Sequence, residues 1–471
     1  MSPQTTDLLI VIQWGFLFYF AALNTGYLIL NVVSFFNIRH YMDAQVLSEL
    51  PRTYTAFKPP ISILVPAYNE EATITASVRS LLQLAYDQFE VIVINDGSKD
   101  DTLEALRREF QLEPFPEAYW VKLPTQPVRA IWRSRIHPNL RVIDKDNGGK
   151  ADALNAGINA SRYPLFCAVD ADSVLQRNSL QLIVEPFIED SRTIAAGGTI
   201  RIVNGCTVKE GFLVSVGLPE KWLPLLQIVE YLRAFLFGRM GWSALNAMLV
   251  ISGAFGLFRK TSVIEVGGYR TGTVGEDMEL VVRLHRHHRK RRIPYRIVFV
   301  PNPICWTEAP ESLAVLKAQR VRWQRGLSES LSMNMGLLFS GNGGWISWGA
   351  FPFTLLFEWF GVFVELAGYV FMIAGFGLGI VSGQALFAFA LVSVALGVLL
   401  SVSALVLEEM SFHLYPRYSD LARLFLAAVL ENFGYRQMIL YWRFIGMLRW
   451  MFGPEGHWGA MPRSASWQSR L

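Results

Sequence analysis

The chain has 471 residues, 52% of them hydrophobic, a positive mean hydropathy and a net charge of only +4. That length exceeds what one hydrophobic core usually serves, so two or three structural units are expected, part of them in a membrane. No basic block stands apart from acidic ones, which argues against a nucleic-acid partner, whereas mild basicity suits a face lying on anionic membrane lipids.

Residues 8–38 carry no charge, a run too long for a signal-peptide core, so an N-terminal transmembrane helix is predicted there. Only Asp7 precedes it, whereas Arg39, Arg52 and Lys58 follow. The positive-inside rule then puts the N-terminus outside and the chain from residue 39 in the cytosol.

Residues 57–330 have the mixed composition of a soluble domain. Residues 61–65 (ISILV) and 90–94 (EVIVI) are apolar runs that end in polar residues, and residues 72–84 between them have helical spacing. This is a βαβ opening, and open parallel sheets bind ligands just beyond such strand ends. Residues 165–169 (LFCAV) repeat the pattern and end at Asp170. The three cysteines, Cys167, Cys206 and Cys305, lack paired spacing and read as small buried residues of a reduced compartment.

Four acidic clusters follow apolar strands: Tyr68-Asn69-Glu70, Asn95-Asp96-Gly97, Asp170-Ala171-Asp172 and Gly275-Glu276-Asp277. An Asp-x-Asp pair at a strand end can present carboxylates to Mg²⁺ or Mn²⁺, although turns and caps also use Asp freely. Lys150 follows Gly148-Gly149 at the start of a helical stretch. The glycines let backbone approach a ligand, and the helix N-terminus with its lysine favours a phosphate; an ordinary capped loop is the alternative.

The stretch 227–259 is apolar with Arg233 and Arg239 set in it, and reads either as an interfacial segment or as a buried core helix. His285, His287 and His288 lie among arginines and a lysine, whose charge would repel a metal, so a solvated or lipid-facing basic helix end is predicted. In Gln319-Arg320-Val321-Arg322-Trp323, Arg320 and the nearby Arg325 have the alternative reading of snorkelling anchors. Arg322 can neutralise a departing diphosphate, and Trp323 offers a sugar ring an apolar platform.

A C-terminal membrane domain is predicted over 345–450, with spans at about 345–380 and 384–407. Glu358 and Glu365 share a face of the first span, taken to line the bundle interior or a polymer path. For 421–450, interrupted by Arg423, Glu431, Arg436, Arg443 and Arg449, a third span and an interfacial helix both stay open. A cytosolic or interfacial tail follows at 451–471.

In order and kind these motifs resemble the processive, membrane-integrated members of glycosyltransferase family 2, the group of the poly-N-acetylglucosamine, chitin, hyaluronan and cellulose synthases. The resemblance rests on Val65-Pro66-Ala67-Tyr68-Asn69-Glu70, the NDGS at 95–98, NGGKADALN at 147–155, Asp170-Ala171-Asp172, Gly275-Glu276-Asp277, QRVRW at 319–323 and the flanking apolar segments. It implies a GT-A-like α/β nucleotide-diphospho-sugar transferase domain joined to an α-helical transmembrane domain, in a bacterial inner membrane. Tyr68, Glu70 and Asp96 would bind the nucleoside, and Lys150, Asp170 and Arg322 the diphosphate end of the donor. Asp172, with Asp170 beside it, would hold the metal, and Asp277 would be the general base. Glu276, Gln319, Trp323 and Gly253 would meet the acceptor.

The implied reaction moves a sugar from a UDP-sugar to a growing β-linked polysaccharide, with a lipid acceptor and single addition as the alternative. A non-catalytic channel or sensor is disfavoured by the joint presence of Lys150, Asp172, Asp277 and Arg322. An accessory subunit has room but no sequence signal. Two departures stand out: many family members have Thr or Ser where this chain has Gly275, and no FxVTxK-like gating segment follows Trp323. Trp458-Gly459 through Arg463 resembles a tail element that lies near the nucleotide in relatives, a solvated tail being the alternative.

Overall fold

The computed structural model describes residues 3–48, 58–209 and 211–453. The tail motif around Trp458 lies outside the described residues. Alternating apolar strands and amphipathic helices build the first half: β1 (Ile61–Ala67), α2 (Ile74–Leu82), β2 (Phe89–Asp96), α3 (Thr102–Phe110), β3 (Leu112–Pro114), β4 (Val128–Ser134), β5 (Leu140–Lys145) and α4 (Lys150–Ala160), preceded by the long helix α1 (Pro3–Ser48). Then come β6 (Leu165–Val169), β7 (Val174–Leu175), α5 (Ser179–Glu189), β8 (Thr193–Ile202) and the hairpin β9 (Thr207–Lys209) and β10 (Phe212–Ser215).

Helices α6 (Trp222–Glu230) and α7 (Gly238–Ala244) are joined by a π-helical stretch, Tyr231–Phe237. They are followed by β11 (Phe255–Arg259), α8 (Lys260–Glu265), α9 (Glu276–Arg291), β12 (Arg296–Thr307) and α10 (Leu313–Met333).

One ten-stranded sheet runs in the order β3-β4-β5-β2-β1-β6-β11-β8-β12-β7. Its centre, β5-β2-β1-β6, is parallel, with Ile61 level with Phe89 and Leu165. β1, β2 and β6 are buried almost throughout, as strands covered on both faces must be. The parallel sense brings Tyr68, Asp96 and Asp170 to one edge, the carboxyl ends of neighbouring strands.

The apolar segments become α1, α11 (Ile346–Trp359), α12 (Gly361–Gly377) and α13 (Gly383–Ser411). Residues 7–39 of α1 and all of α13 are each long and apolar enough to cross a membrane. Over the expected span at 345–380 lie two apolar helices bent by 40° about Phe360, which pass as one broken span or as a re-entrant pair. Two π-helical stretches in α11, Ile346–Ala350 and Thr354–Trp359, lie just before that bend. Asn31 on α1 donates to Ser403 Oγ on α13 at 2.9 Å, and Gly368 leaves space for Phe16 and Phe20, so the three apolar segments pack together. The far end of α1 lies on α7, where a β-carbon on Gly241 would stand 2.8 Å from the Leu30 carbonyl.

Over 421–450 the chain forms a broken pair of helices. Two helices, α14 (Tyr418–Leu430) and α15 (Arg436–Phe452), are separated by non-helical backbone at Phe433 and Gly434. They are 13 and 17 residues long, and two of their charges turn into the protein: Arg443 meets Glu358, and Arg423 donates to the Pro219 carbonyl at 2.9 Å.

Two expectations about basic residues are corrected. His285 and His288 are buried, not solvated or lipid-facing. One ring nitrogen of His285 meets Tyr295 Oη at 2.6 Å and the other the Met248 carbonyl at 2.9 Å. Burial pushes its pKa down to about 3, so it packs as a neutral ring. Arg320 and Arg325 do not snorkel: Arg320 is buried against Glu230 at 2.8 Å, and Arg325 pairs with Glu329 one turn on at 2.8 Å. All three cysteines are buried and unbridged.

Candidate active site

Beyond β2 the backbone turns at Gly97, whose φ of +68° suits glycine and whose missing β-carbon makes room for the Asn147 amide nitrogen. Asp96 is buried, and its carboxylate ties down the Asn147-Gly148-Gly149 loop. It accepts from the Gly148 and Gly149 amides at 3.0 and 2.7 Å and pairs with the buried Lys145 ammonium. Lys145 in turn meets Asp152 at 2.7 Å. Asp96 therefore shapes the loop from which Lys150 projects. The loops after β1 and β2 are also stitched together: the Asn69 amide donates to Ser98 Oγ at 3.0 Å and the Glu70 amide to Thr102 Oγ1 at 2.9 Å. Tyr68 stands exposed beside them.

Gly149, with φ +85°, precedes α4 and lets Lys150 begin the helix, as its spacing predicted. The Lys150 ammonium lies against the Asp170 carboxylate at the end of β6. Burial alone pulls the lysine pKa down, but Asp170, Glu276 and Asp277 outweigh it and the net shift is upward, so this cation is firmly held.

Asp277 sits in the first turn of α9. Its Oδ2 accepts from the Gly253 amide at 3.1 Å and its Oδ1 from the Met278 amide at 2.8 Å, which fixes the carboxylate plane. Glu276 is buried next to it. Burial pushes its pKa up to about 7, with Lys150 opposing and Asp277 adding to the rise.

Helix α10 brings Gln319, Arg322 and Trp323 to the same place. The Arg320 guanidinium lies 4.2 Å over the Trp323 ring centre, and the Phe235 ring is tilted against the indole at 5.6 Å. Burial lowers the Arg322 pKa, against the pull of Glu276, Asp170 and Asp277.

These groups share one cavity of about 700 Å³, lined by Lys150, Asp170, Gly253, Glu276, Asp277, Gln319, Arg322 and Trp323. Tyr68, Glu70, Asp96 and Asp172 lie outside its wall, the first three on the neighbouring strand ends. The cavity continues past Arg239 and Trp242 to Tyr27 of α1 and to Phe353, Thr354 and Glu358 of α11. Sequence reading set the face carrying Glu358 toward the bundle interior but missed the aromatic part of this far wall, Tyr27, Trp242 and Phe353, because single aromatics in apolar runs look like lipid-facing residues. It also missed Glu329, which accepts from Thr273 Oγ1 at 2.7 Å and the Val274 amide at 2.9 Å and so shapes the approach to Gly275.

The profile described as glycosyl transferase family 2 matches residues 62–263, and that described as glycosyl transferase family group 2 matches residues 165–405, just over half the chain. The chain belongs to glycosyl transferase family 2. The fold is accordingly GT-A-like, with apolar helices attached.

Among family 2 relatives, a poly-beta-1,6-N-acetyl-D-glucosamine synthase of Staphylococcus aureus is 29% identical over 320 residues, 68% of this chain and 66% of that protein. The enzyme of the same description from Staphylococcus epidermidis is 29% identical over 272 residues, 58% of this chain and 55% of that one. The matched regions thus span somewhat less than two thirds of these relatives' length. Among solved structures, a mannosyltransferase from Pyrobaculum calidifontis in complex with GDP-Man and Mn²⁺ is 16% identical and covers 92% of this chain and 100% of its own, with a TM-score of 0.47.

Proposed function

We propose that the protein is an inverting glycosyltransferase that uses a UDP-sugar, with Mg²⁺ or Mn²⁺, to extend a β-linked polysaccharide. The observation that carries this reading is that Asp277, Arg322, Trp323 and Lys150 line one cavity that runs on between α1 and α11. An inverting displacement needs a base on one side of the sugar and positive charge at the leaving group on the other.

Asp277 takes the proton of the acceptor hydroxyl, its carboxylate held by the Gly253 and Met278 amides. The acceptor oxygen forms its bond to the anomeric carbon while the bond to UDP breaks, the electron pair leaving with the diphosphate. Lys150 and Arg322 bind that diphosphate, and Tyr68, Glu70 and the Asp96-anchored loop bind the nucleoside. Gln319, Gly253 and Glu276 position the acceptor end, and the Trp323 indole, which lines the cavity, gives its sugar an apolar face.

The donor set fits a hard cation completed by substrate. Asp170 and Asp172 stand two residues apart at a strand end, and among the described residues no group of three His, Cys, Asp or Glu could hold a metal unaided. Mg²⁺ commonly takes one or two carboxylates plus substrate phosphates. When bound, such a cation neutralises charge developing on the diphosphate.

N-acetylglucosamine as the sugar and a β-1,6 linkage rest on the names of the relatives. The far wall of Tyr27, Trp242 and Phe353 supports release of product between the apolar helices, hence export as it grows. The charge balance around residues 8–38 supports a cytosolic catalytic domain, and a bacterial inner membrane rests on the likeness to the bacterial relatives.

The test is to incubate purified full-length protein in lipid nanodiscs with labelled UDP-N-acetylglucosamine and Mg²⁺ and to size the products. A ladder reaching high mass is expected. Low-mass glycolipid alone would show single addition to a lipid acceptor and overturn the polymerising part of the reading.

A further inference from the structure

A second cavity, of about 470 Å³, lies at the opposite edge of the sheet from Asp170. Its walls come from the segment before β4, the end of α4, the turn before β6 and the start of α8. β6 begins at Leu165, level with Arg259 at the end of the antiparallel β11, so Arg162 and Lys260 flank that edge.

The lining is cationic with two aromatic rings, Tyr119 and Trp120. Of the lining residues only Glu117 is acidic against Lys122, Arg162 and Lys260; it meets Arg162 at 2.7 Å and the buried Arg141 behind it, which also pairs with Glu90 at 2.6 Å, leaving four cations to two carboxylates. Positive charge is therefore in surplus. Its mark is on Lys260, whose pKa is lowered chiefly by burial and then by Lys122, with Glu90 opposing and Arg141 adding to the effect. Trp120, 83% exposed on the rim, presents an indole that the core does not use.

The wall is also built, not loose. Asn159, buried near the end of α4, accepts from the Lys122 and Leu123 amides at 3.1 and 3.0 Å and donates to the Leu123 carbonyl at 2.8 Å. Lys260 Nζ donates to the Ser161 carbonyl at 2.5 Å. The volume is in the range of small-molecule sites.

We propose that this cavity is a second ligand site, for a small phosphorylated molecule bearing a flat ring, with the phosphate on Lys122, Arg162 and Lys260 and the ring on Trp120. It is separate from the donor site. Helix α4 joins the two, with Lys150 at its first residue and Asn159 and Ala160 at its end, about 14–15 Å away at helical rise. Residues 151–160 are buried throughout, so a displacement at the second cavity has a stiff path to Lys150.

The test is photolabelling of the full-length protein in nanodiscs with 8-azido-ADP, followed by peptide mapping. Label is expected in the peptide containing Tyr119 and Trp120, competed by ADP and more weakly by pyrophosphate. Both the exposed-residue variant Lys122→Glu and Trp120→Ala should cut it about tenfold, which corresponds to about 1.4 kcal/mol. Label only in peptides carrying Tyr68 or Asp96, or label at Trp120 unchanged in Lys122→Glu, would overturn the proposal. Loss in Lys122→Glu with full labelling in Trp120→Ala would overturn the flat-ring requirement. UDP binding, measured separately in both variants, should be unchanged, so failure at the donor site is read independently.

Discussion

Gly275 and Gly326 meet backbone to backbone: a β-carbon on Gly275 would stand 2.7 Å from the Gly326 Cα and 2.7 Å from its carbonyl oxygen. This contact presses the start of α9, which carries Glu276 and Asp277, onto α10, which carries Arg322 and Trp323. It is also the physical reason this chain has glycine where many of the synthases it resembles have Thr or Ser.

Gly275→Thr therefore has nowhere to go, because the neighbouring atoms are backbone. The expected cost is about 1–3 kcal/mol of overpacking, seen as a lower unfolding temperature, with turnover down at least tenfold. Thermal unfolding and UDP release measured side by side check it, and an unchanged unfolding temperature would show that the two helices separate freely.

Glu276 gives a pH signature. Its pKa in the folded protein is pushed up to about 7 by burial, whereas an unfolded chain titrates near 4.3. Between those values the folded state holds a proton that the unfolded state has lost, so this residue makes stability fall as pH rises from about 4.3 to about 7. Glu276→Gln removes that slope. The variant's unfolding temperature should gain on the wild type by a few degrees between pH 5 and pH 8. A difference that stays flat with pH would contradict the buried carboxyl.

Arg443 ties three elements at once. From α15 its Nε donates to Gln324 Oε1 on α10 at 2.8 Å and its Nη2 to Glu358 Oε2 on α11 at 2.7 Å. Arg443→Ala leaves Glu358 facing the cavity without its cation. Expected outcomes are turnover reduced about tenfold, about 1.4 kcal/mol at the barrier, and shorter product. Product sizing and initial rates separate the two effects, and wild-type length and rate would show the tie to be idle.

The central sheet was legible because each parallel strand is an apolar run that stops at polar residues; β6 lies where residues 165–169 placed it, and Lys150 begins the expected helix. The role of Asp96 was less visible. Its spacing says that it ends a strand, but only three dimensions show it holding the Gly148 and Gly149 amides. The bend at Phe360 was hidden because a π-helical turn of apolar residues has the composition of any span. His285 was misread because its neighbours in sequence are charged. The signal was there: Val281, Leu284, His285 and His288 continue one stripe at three- and four-residue spacing, and all four are buried.

The most direct test of Asp277 as the base compares turnover with binding. Asp277→Asn keeps the side-chain shape and an oxygen for the Gly253 amide but cannot take the acceptor proton at neutral pH. Expected is UDP release from the UDP-sugar reduced at least a thousandfold, within the range that general bases contribute, with UDP affinity within about threefold of wild type. Release at the wild-type rate in Asp277→Asn, with UDP still bound, would contradict the assignment of the base.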